Sequence, residues 1–230
     1  MKYSIAEFIS QTSQRNSENN FFDLESPQTL EVNLDGSVWL KLGSMIGYYG
    51  DIKFKRQGLT DQGISMVFKK MISGEGMSLM KAEGKGRIYL ADSSKKVRVL
   101  HLKGESICVN GNDVLAIDNT LSYDIKMMKS VAGVVGGGLF NVRVSGSGMI
   151  ALTTHGDPVT LLVTPENPLC TDAHATVAWD GALNPTIKTD LSFRNLIGRG
   201  SGEGIQLAFS GSGWVVLQPF EEKYHEVKSH

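Results

Sequence analysis

Segments 74–125 and 136–187 of this 230-residue chain align without a gap at a fixed offset of 62 residues. Thirteen of the 52 aligned positions are identical, among them Gly74/Gly136, Gly76/Gly138, Gly84/Gly146, Gly86/Gly148, Cys108/Cys170 and Asp118/Asp180. A third copy is cut in two. Segment 201–218 repeats 73–91 with one residue fewer, and the chain then ends before the second half of a unit. That half stands near the N-terminus, where 46–52 (IGYYGDI) aligns with 115–121 (LAIDNTL) and 177–183 (VAWDGAL). A unit divided between two distant segments forms only if they meet in space. The expected fold is mainly β: three repeated β-sandwich-like units in a pseudo-threefold arrangement, the third built from both termini. Closure of that kind removes sheet edges, which otherwise invite aggregation.

Periodicity within a unit is that of strands, with apolar residues alternating in 87–90 and 205–209. The 26 glycines, about 11% of the chain, exceed the usual ~7%, and Gly84-x-Gly86, Gly146-x-Gly148 and Gly211-x-Gly213 are predicted to form tight turns between strands. Few short helices are expected: 64–72 after Thr60-Asp61, 191–197, and an N-terminal one opened by a Ser4–Glu7 capping box. Polar residues 11–20 read as a mobile loop. The domain reading is an N-terminal extension over 1–29 carrying the short helix, then a single closed three-unit β domain over 30–230.

Lysine plus arginine total 23 and aspartate plus glutamate 24, a formal charge of -1. A generic nucleic-acid or anionic-membrane binder would carry a basic excess, so nucleic acid is not an expected partner. Residues 1–22 lack the apolar core of a secretory signal, and the most apolar run, 131–140, is far shorter than the ~20 residues of a spanning helix. No membrane span is expected. Two cysteines make no secreted disulfide framework, so the default location is cytoplasmic.

Ser73-Gly74-Glu75-Gly76, Ser201-Gly202-Glu203-Gly204, Gly43-Ser44-Met45 and Val177-Ala178-Trp179-Asp180 together resemble a known family over residues 30–219. It is the bacterial family related to the mitochondrial biogenesis protein named for altered inheritance of mitochondria. The resemblance implies three units similar to the tryptophan RNA-binding attenuation protein, packed as a pseudo-trimer. It implies no active site.

Asp118 and Asp180 recur at one place in two units, so a carboxylate ring could hold a cation, but the third equivalent is Tyr49. The competing reading is turn chemistry, since Asp180-Gly181 and Asp118-Asn119 are hairpin signals. The Ser-Gly-Glu-Gly segments lack the Gly-Lys-Ser/Thr of a phosphate loop. His101, His155, His174, His225 and His230 recur in no second unit and show no zinc spacing. Cys108 and Cys170 suit small buried hydrophobes. The basic groups Lys53/Lys55/Arg56 and Lys95/Lys96/Arg98 read as solvated faces. The expectation is a non-enzymatic binding or scaffold protein with an unknown protein partner, no cofactor and no catalytic residues, compatible with homo-oligomerisation. The alternatives are a ligand-binding protein or enzyme using a cleft between units, and RNA binding by fold analogy.

Overall fold

The structure is a computed structural model, and it describes residues 2–15, 20–56, 78–128, 139–188 and 205–220. One α-helix, α1 (Ile5–Thr12), precedes the strands β1 (Phe22–Ser26), β2 (Thr29–Lys41), β3 (Met45–Arg56), β4 (Leu79–Leu90) and β5 (Lys96–Asn110). After a 3-10 turn at Gly111–Asp113 come β6 (Val114–Asp118), β7 (Ser122–Met128), β8 (Leu139–Thr154), β9 (Val159–Val163) and β10 (Leu169–Asp172). The chain finishes with β11 (Thr176–Asp180), β12 (Thr186–Lys188), β13 (Gln206–Phe209) and β14 (Gly213–Leu217). All pairings are antiparallel. Eleven strands share one sheet in the order β3-β4-β2-β6-β8-β5-β11-β14-β9, with β1 alongside β2 and β7 alongside β8; β10-β13-β12 form a smaller sheet.

The long strands bury one face along their whole length, apolar residues recurring at every second position around a central glycine. In β2, Leu30, Val32 and Leu34 are buried, then Val38 and Leu40; Gly36 lies between them at φ +127°. Burying an aliphatic side chain of this size contributes about 1.5–3 kcal/mol, so one misregistered residue, which turns every side chain over, is strongly disfavoured. The core divides into three clusters. Leu30, Ile88 and Leu90 belong to the first, Ile117, Val142 and Ile150 to the second, and Trp179, Phe209 and Val215 to the third.

One local pairing pattern occurs at three places. Each of β3, β6 and β11 has a register shift just after its first residue, between Met45/Gly47, Val114/Ala116 and Thr176/Ala178. Beyond the shift, Gly47-Tyr48 faces Tyr89-Ile88, Ala116-Ile117 faces Ala151-Ile150, and Ala178-Trp179 faces Val216-Val215. The strand order accordingly reads as three triplets: β3-β4-β2, β6-β8-β5 and β11-β14-β9. They are joined by two ladders, Trp39↔Ile117 with Leu40↔Ala116, and Cys108↔Trp179 with Val109↔Ala178.

Several expectations change on contact with the structure. Gly84-x-Gly86 and Gly146-x-Gly148 lie inside the continuous strands β4 and β8; only Gly211-x-Gly213 sits at a break, between β13 and β14. The reason for glycine in β4 is close approach. A Cβ on Gly84 (φ +140°) would run into the Asp51 carbonyl oxygen of β3. The described strands form an open path ending at β3 and β9, not a closed ring. The sheet begins at Phe22, inside the 1–29 extension, because β1 pairs with β2. The Ser4 capping box is present, with Ser4 Oγ accepting from Glu7 N at 3.2 Å and Ser4 N donating to Glu7 Oε2 at 2.8 Å. Helix α1 covers Gln11 and Thr12 of the expected loop, and Gln14 is tied down, donating to Glu31 Oε2 at 2.8 Å. The expected helices at 64–72 and 191–197 lie outside the described residues.

Candidate functional site

Asp118 ends β6 and Asp180 ends β11, and both carboxylates are spent on the turn that follows. Asp118 Oδ1 accepts from Thr120 N at 2.9 Å, and Asp180 Oδ1 accepts from Ala182 N at 2.8 Å. The backbone closes both turns identically, Leu121 N donating to Asp118 O and Leu183 N to Asp180 O, each at 3.0 Å. Such Asx turns satisfy backbone donors locally. Tyr49, the third equivalent, lies exposed in β3 with its ring edge against Tyr89. Two strands separate β3 from β6, and two more separate β6 from β11. Among the described residues no group of three or more His, Cys, Asp or Glu could hold a metal ion.

Asp118 does line a groove of about 580 Å³, together with Phe21, Asp35, Glu83 and Thr120. Gly36 opens its floor, where no atom lies within 4 Å of the Cβ direction. The groove holds three carboxylates, but two of them already carry counterions. Lys55 and Lys81 grip Glu83 at 2.6 and 2.9 Å, and hydrogen bonds from Lys55 first, then Lys81, pull its carboxyl down to about 2. Asp35 pairs with Lys85 at 2.8 Å on the surface. The arrangement can accept hydrogen bonds from a polar ligand.

Of the histidines, His101 is exposed on β5 and His155 stacks on Phe220 with ring centroids 4.0 Å apart. His174 follows β10, its backbone N–H held by Asp172 Oδ1 at 2.6 Å. His225 and His230 lie outside the described residues, as do both Ser-Gly-Glu-Gly segments. Cys108 is buried and Cys170 exposed, so the expectation of two buried thiols holds for one. Burial pushes the Cys108 thiol upward, which disfavours a nucleophilic thiolate.

Of the basic group Lys95/Lys96/Arg98, Lys95 departs from the expected solvated face, while Lys96 and Arg98 stay partly exposed. Lys95 is buried, its ammonium 3.1 Å from Asp113 Oδ1 and 3.8 Å from Asp92 Oδ2, while Lys96 and Arg98 both bind Asp157. Lys41 completes the buried cluster, 2.7 Å from Asp92 and donating to Asn112 O at 2.6 Å. Burial raises the Asp92 carboxyl, but the opposing pull of Lys41, Lys95 and Thr153 leaves it below the ordinary range. Sequence reasoning missed this network because it occurs once. The positions 62 residues on are Thr154, Asp157 and Ala175, which cannot reproduce it. A second polar knot was also missed: fully buried Glu31 accepts from Tyr89 Oη at 2.8 Å, and burial first, then Glu31, pushes that phenol up to about 12.

The surface itself is uneven. Helix α1 has no buried residue and displays Ile5, Phe8 and Ile9. The terminal strands of the large sheet are likewise apolar outside: Ile46, Tyr48 and Tyr49 on β3, Val159 and Leu162 on β9. No helix among the described residues is long and apolar enough to cross a membrane.

A family profile for mitochondrial biogenesis AIM24 matches residues 22–220, from the first strand to the end of the described C-terminal segment. The chain belongs to the AIM24 family. Its relatives include an uncharacterised protein of Streptococcus pyogenes serotype M6, 26% identical over 202 residues that make up 82% of this chain and 80% of that one. A Streptococcus pyogenes protein solved by X-ray crystallography as a structural-genomics target shares the fold. Its TM-score is 0.67 at 24% identity, over 87% of this chain and 92% of the other. The AIM24 match covers all fourteen strands and leaves α1 outside it.

Proposed function

We propose that this AIM24-family protein is a non-enzymatic binding or scaffold module built from three related β units, each similar to the tryptophan RNA-binding attenuation protein, and that it works by presenting sheet edges to other proteins. The three-unit reading is supported by the 62-residue offset and by the register shift that recurs in β3, β6 and β11. The observation that carries the function is the apolar surface of the terminal strand β3. Ile46, Tyr48 and Tyr49 are 62%, 47% and 66% exposed there. Sheet edges are normally capped or charged; charge guards the second half of β3 at Lys53, Lys55 and Arg56, whereas its apolar first half, with no strand beyond it among the described residues, suits a surface that takes a partner.

The test compares wild type with an Ile46→Lys/Tyr48→Glu variant as baits in native lysate, quantifying co-purified proteins by mass spectrometry. A protein retained by wild type and lost from the variant supports the reading. Identical retained sets overturn it. The groove beside Asp118 favours a second reading, a protein that binds a small polar ligand. Native mass spectrometry finding a retained molecule in wild type, lost from Gly36→Trp, would support that alternative.

A further inference from the structure

Two ladders connect the three strand triplets, and a third pair of strands carries the same residue positions without being joined. In the first ladder Ile117 faces Trp39; in the second Trp179 faces Cys108. The repeat offset carries Cys108 to Cys170 in β10, while the shared bulge and register carry Trp179 to Tyr48 in β3. The strand β10 also matches the second half of β5 in its other pairing. Leu169 faces Phe209 and Cys170 faces Ala208, just as Ile107 faces Val144 and Cys108 faces Arg143.

Burial separates the joined pairs from the third. Ile117, Trp179 and Cys108 are 0%, 3% and 6% exposed, whereas Tyr48 is 47% exposed and Cys170 is exposed. Within this structure β3 ends the eleven-stranded sheet, and β10 lies in the separate small sheet with β13 as its ladder partner. Where β5 runs on through a single bulge at Gly104, its counterpart is broken into β9 and β10 by a turn holding Pro165 and Pro168. Proline supplies no ladder donor and splits strands in this way. Among the described strands, one head and one tail of the same junction thus stand unjoined.

We propose that β3 of one copy pairs antiparallel with β10 of a second copy, reproducing the internal ladder between chains with Tyr48 opposite Cys170, Gly47 opposite Thr171 and Tyr49 opposite Leu169. This inference rests on the three-unit reading above and names one partner for the β3 edge: the protein itself. The contact is heterologous, head to tail. Such contacts close into a ring if the rotation per copy permits and otherwise extend as a filament. Burying Ile46, Tyr48 and Tyr49 against another strand removes the apolar surface that a monomer leaves in water.

The experiment is disulfide capture at the named register. Directly opposed strand residues have Cα atoms about 4.5–5.5 Å apart, within the ~4.4–6.8 Å span of a disulfide. Tyr48→Cys, with native Cys170, is oxidised mildly and run on a non-reducing gel beside Tyr48→Cys/Cys170→Ser. Thiol-reversible dimers and longer species, at least tenfold above the control, are the expected result. A cross-link confined to single chains refutes pairing with a second copy and leaves the three-unit reading standing. No cross-link above the control refutes the junction itself. A measurement on the unmodified protein guards against a misfolded variant. In sedimentation equilibrium the wild-type mass rises above 25.0 kDa with concentration, and Tyr48→Lys weakens that association at least tenfold. Wild type that stays at monomer mass at ~100 µM overturns the proposal.

Discussion

Gly84 and Gly36 face each other across β2 and β4, and replacing each by alanine separates two costs that usually arrive together. Both sit at positive φ, +140° and +127°, so each alanine bears the strain of a backbone region that side chains avoid, about 1–3 kcal/mol. They differ in what the new methyl meets. At Gly36 nothing lies within 4 Å. At Gly84 the methyl strikes the Asp51 carbonyl oxygen, with Asp51 C and Ile52 Cα each 3.1 Å away, and all three are backbone of β3 that no rotamer change can clear. Overpacking of this kind adds about 1–3 kcal/mol. Gly84→Ala is therefore expected to cost about 2–6 kcal/mol and Gly36→Ala about 1–3, a difference of about 1–3 kcal/mol. Urea unfolding followed by fluorescence of Trp39, Trp179 and Trp214 reads both variants. With a slope near 3 kcal/mol/M, the midpoints should differ by about 0.3–1 M, Gly84→Ala the lower. Coincident midpoints, or a lower one for Gly36→Ala, would show that close approach of β3 is not why glycine stands in β4.

Asp113→Ala takes the nearer carboxylate from the buried Lys95 ammonium, leaving Asp92 at 3.8 Å, and should lower stability by about 3 kcal/mol in the same unfolding assay. Because the Asp92 carboxyl is held below its ordinary value of about 3.9, its contribution is complete above that pH and fades as pH falls through the folded value; Asp92→Asn should flatten that acid limb of a stability–pH profile. Ser93 and Ser94 turn the chain from β4 to β5 at φ +48° and +62°, so Ser93→Asn/Ser94→Gly should raise the melting temperature by a few degrees, equivalent to about 1 kcal/mol. At a dilution where the protein sediments as a monomer, a maleimide should modify one thiol per native chain, at Cys170, and two after unfolding; two fast-reacting native thiols would contradict the burial of Cys108.

Strand content was readable because it is periodic. The alternation in 87–90 placed the end of β4, and the 62-residue offset foretold that 115–118 and 177–180 would be alike, as β6 and β11 are. The paired glycines were located correctly, but their role was not. A residue-type count cannot tell a turn from a place where two backbones touch, since glycine serves both. The openness of the sheet between β3 and β9 was also illegible. Similar segments in a sequence do not say whether the strands they form close on one another, because closure depends on the twist the sheet accumulates. The turn reading of Asp118 and Asp180 needed only local chemistry and holds at both positions, whereas the Lys41–Asp92–Lys95–Asp113 cluster assembles residues up to 72 positions apart and occurs once. Long-range polar partners leave no period behind.

The two ladders that join the triplets also bear on how the protein is made. Among the described strands, the pairing of greatest sequence separation joins Val38 to Asp118, 80 residues apart, and no ladder runs from the first triplet to the third. Each strand thus finds its partners in chain synthesised shortly before or after it. With translation at about 5–20 residues per second, the β3-β4-β2 group can form within seconds of its emergence, while β13 and β14 are still untranslated. The nascent chain then grows by adding strands to a finished template. Its last free edges are settled only when the protein has left the ribosome.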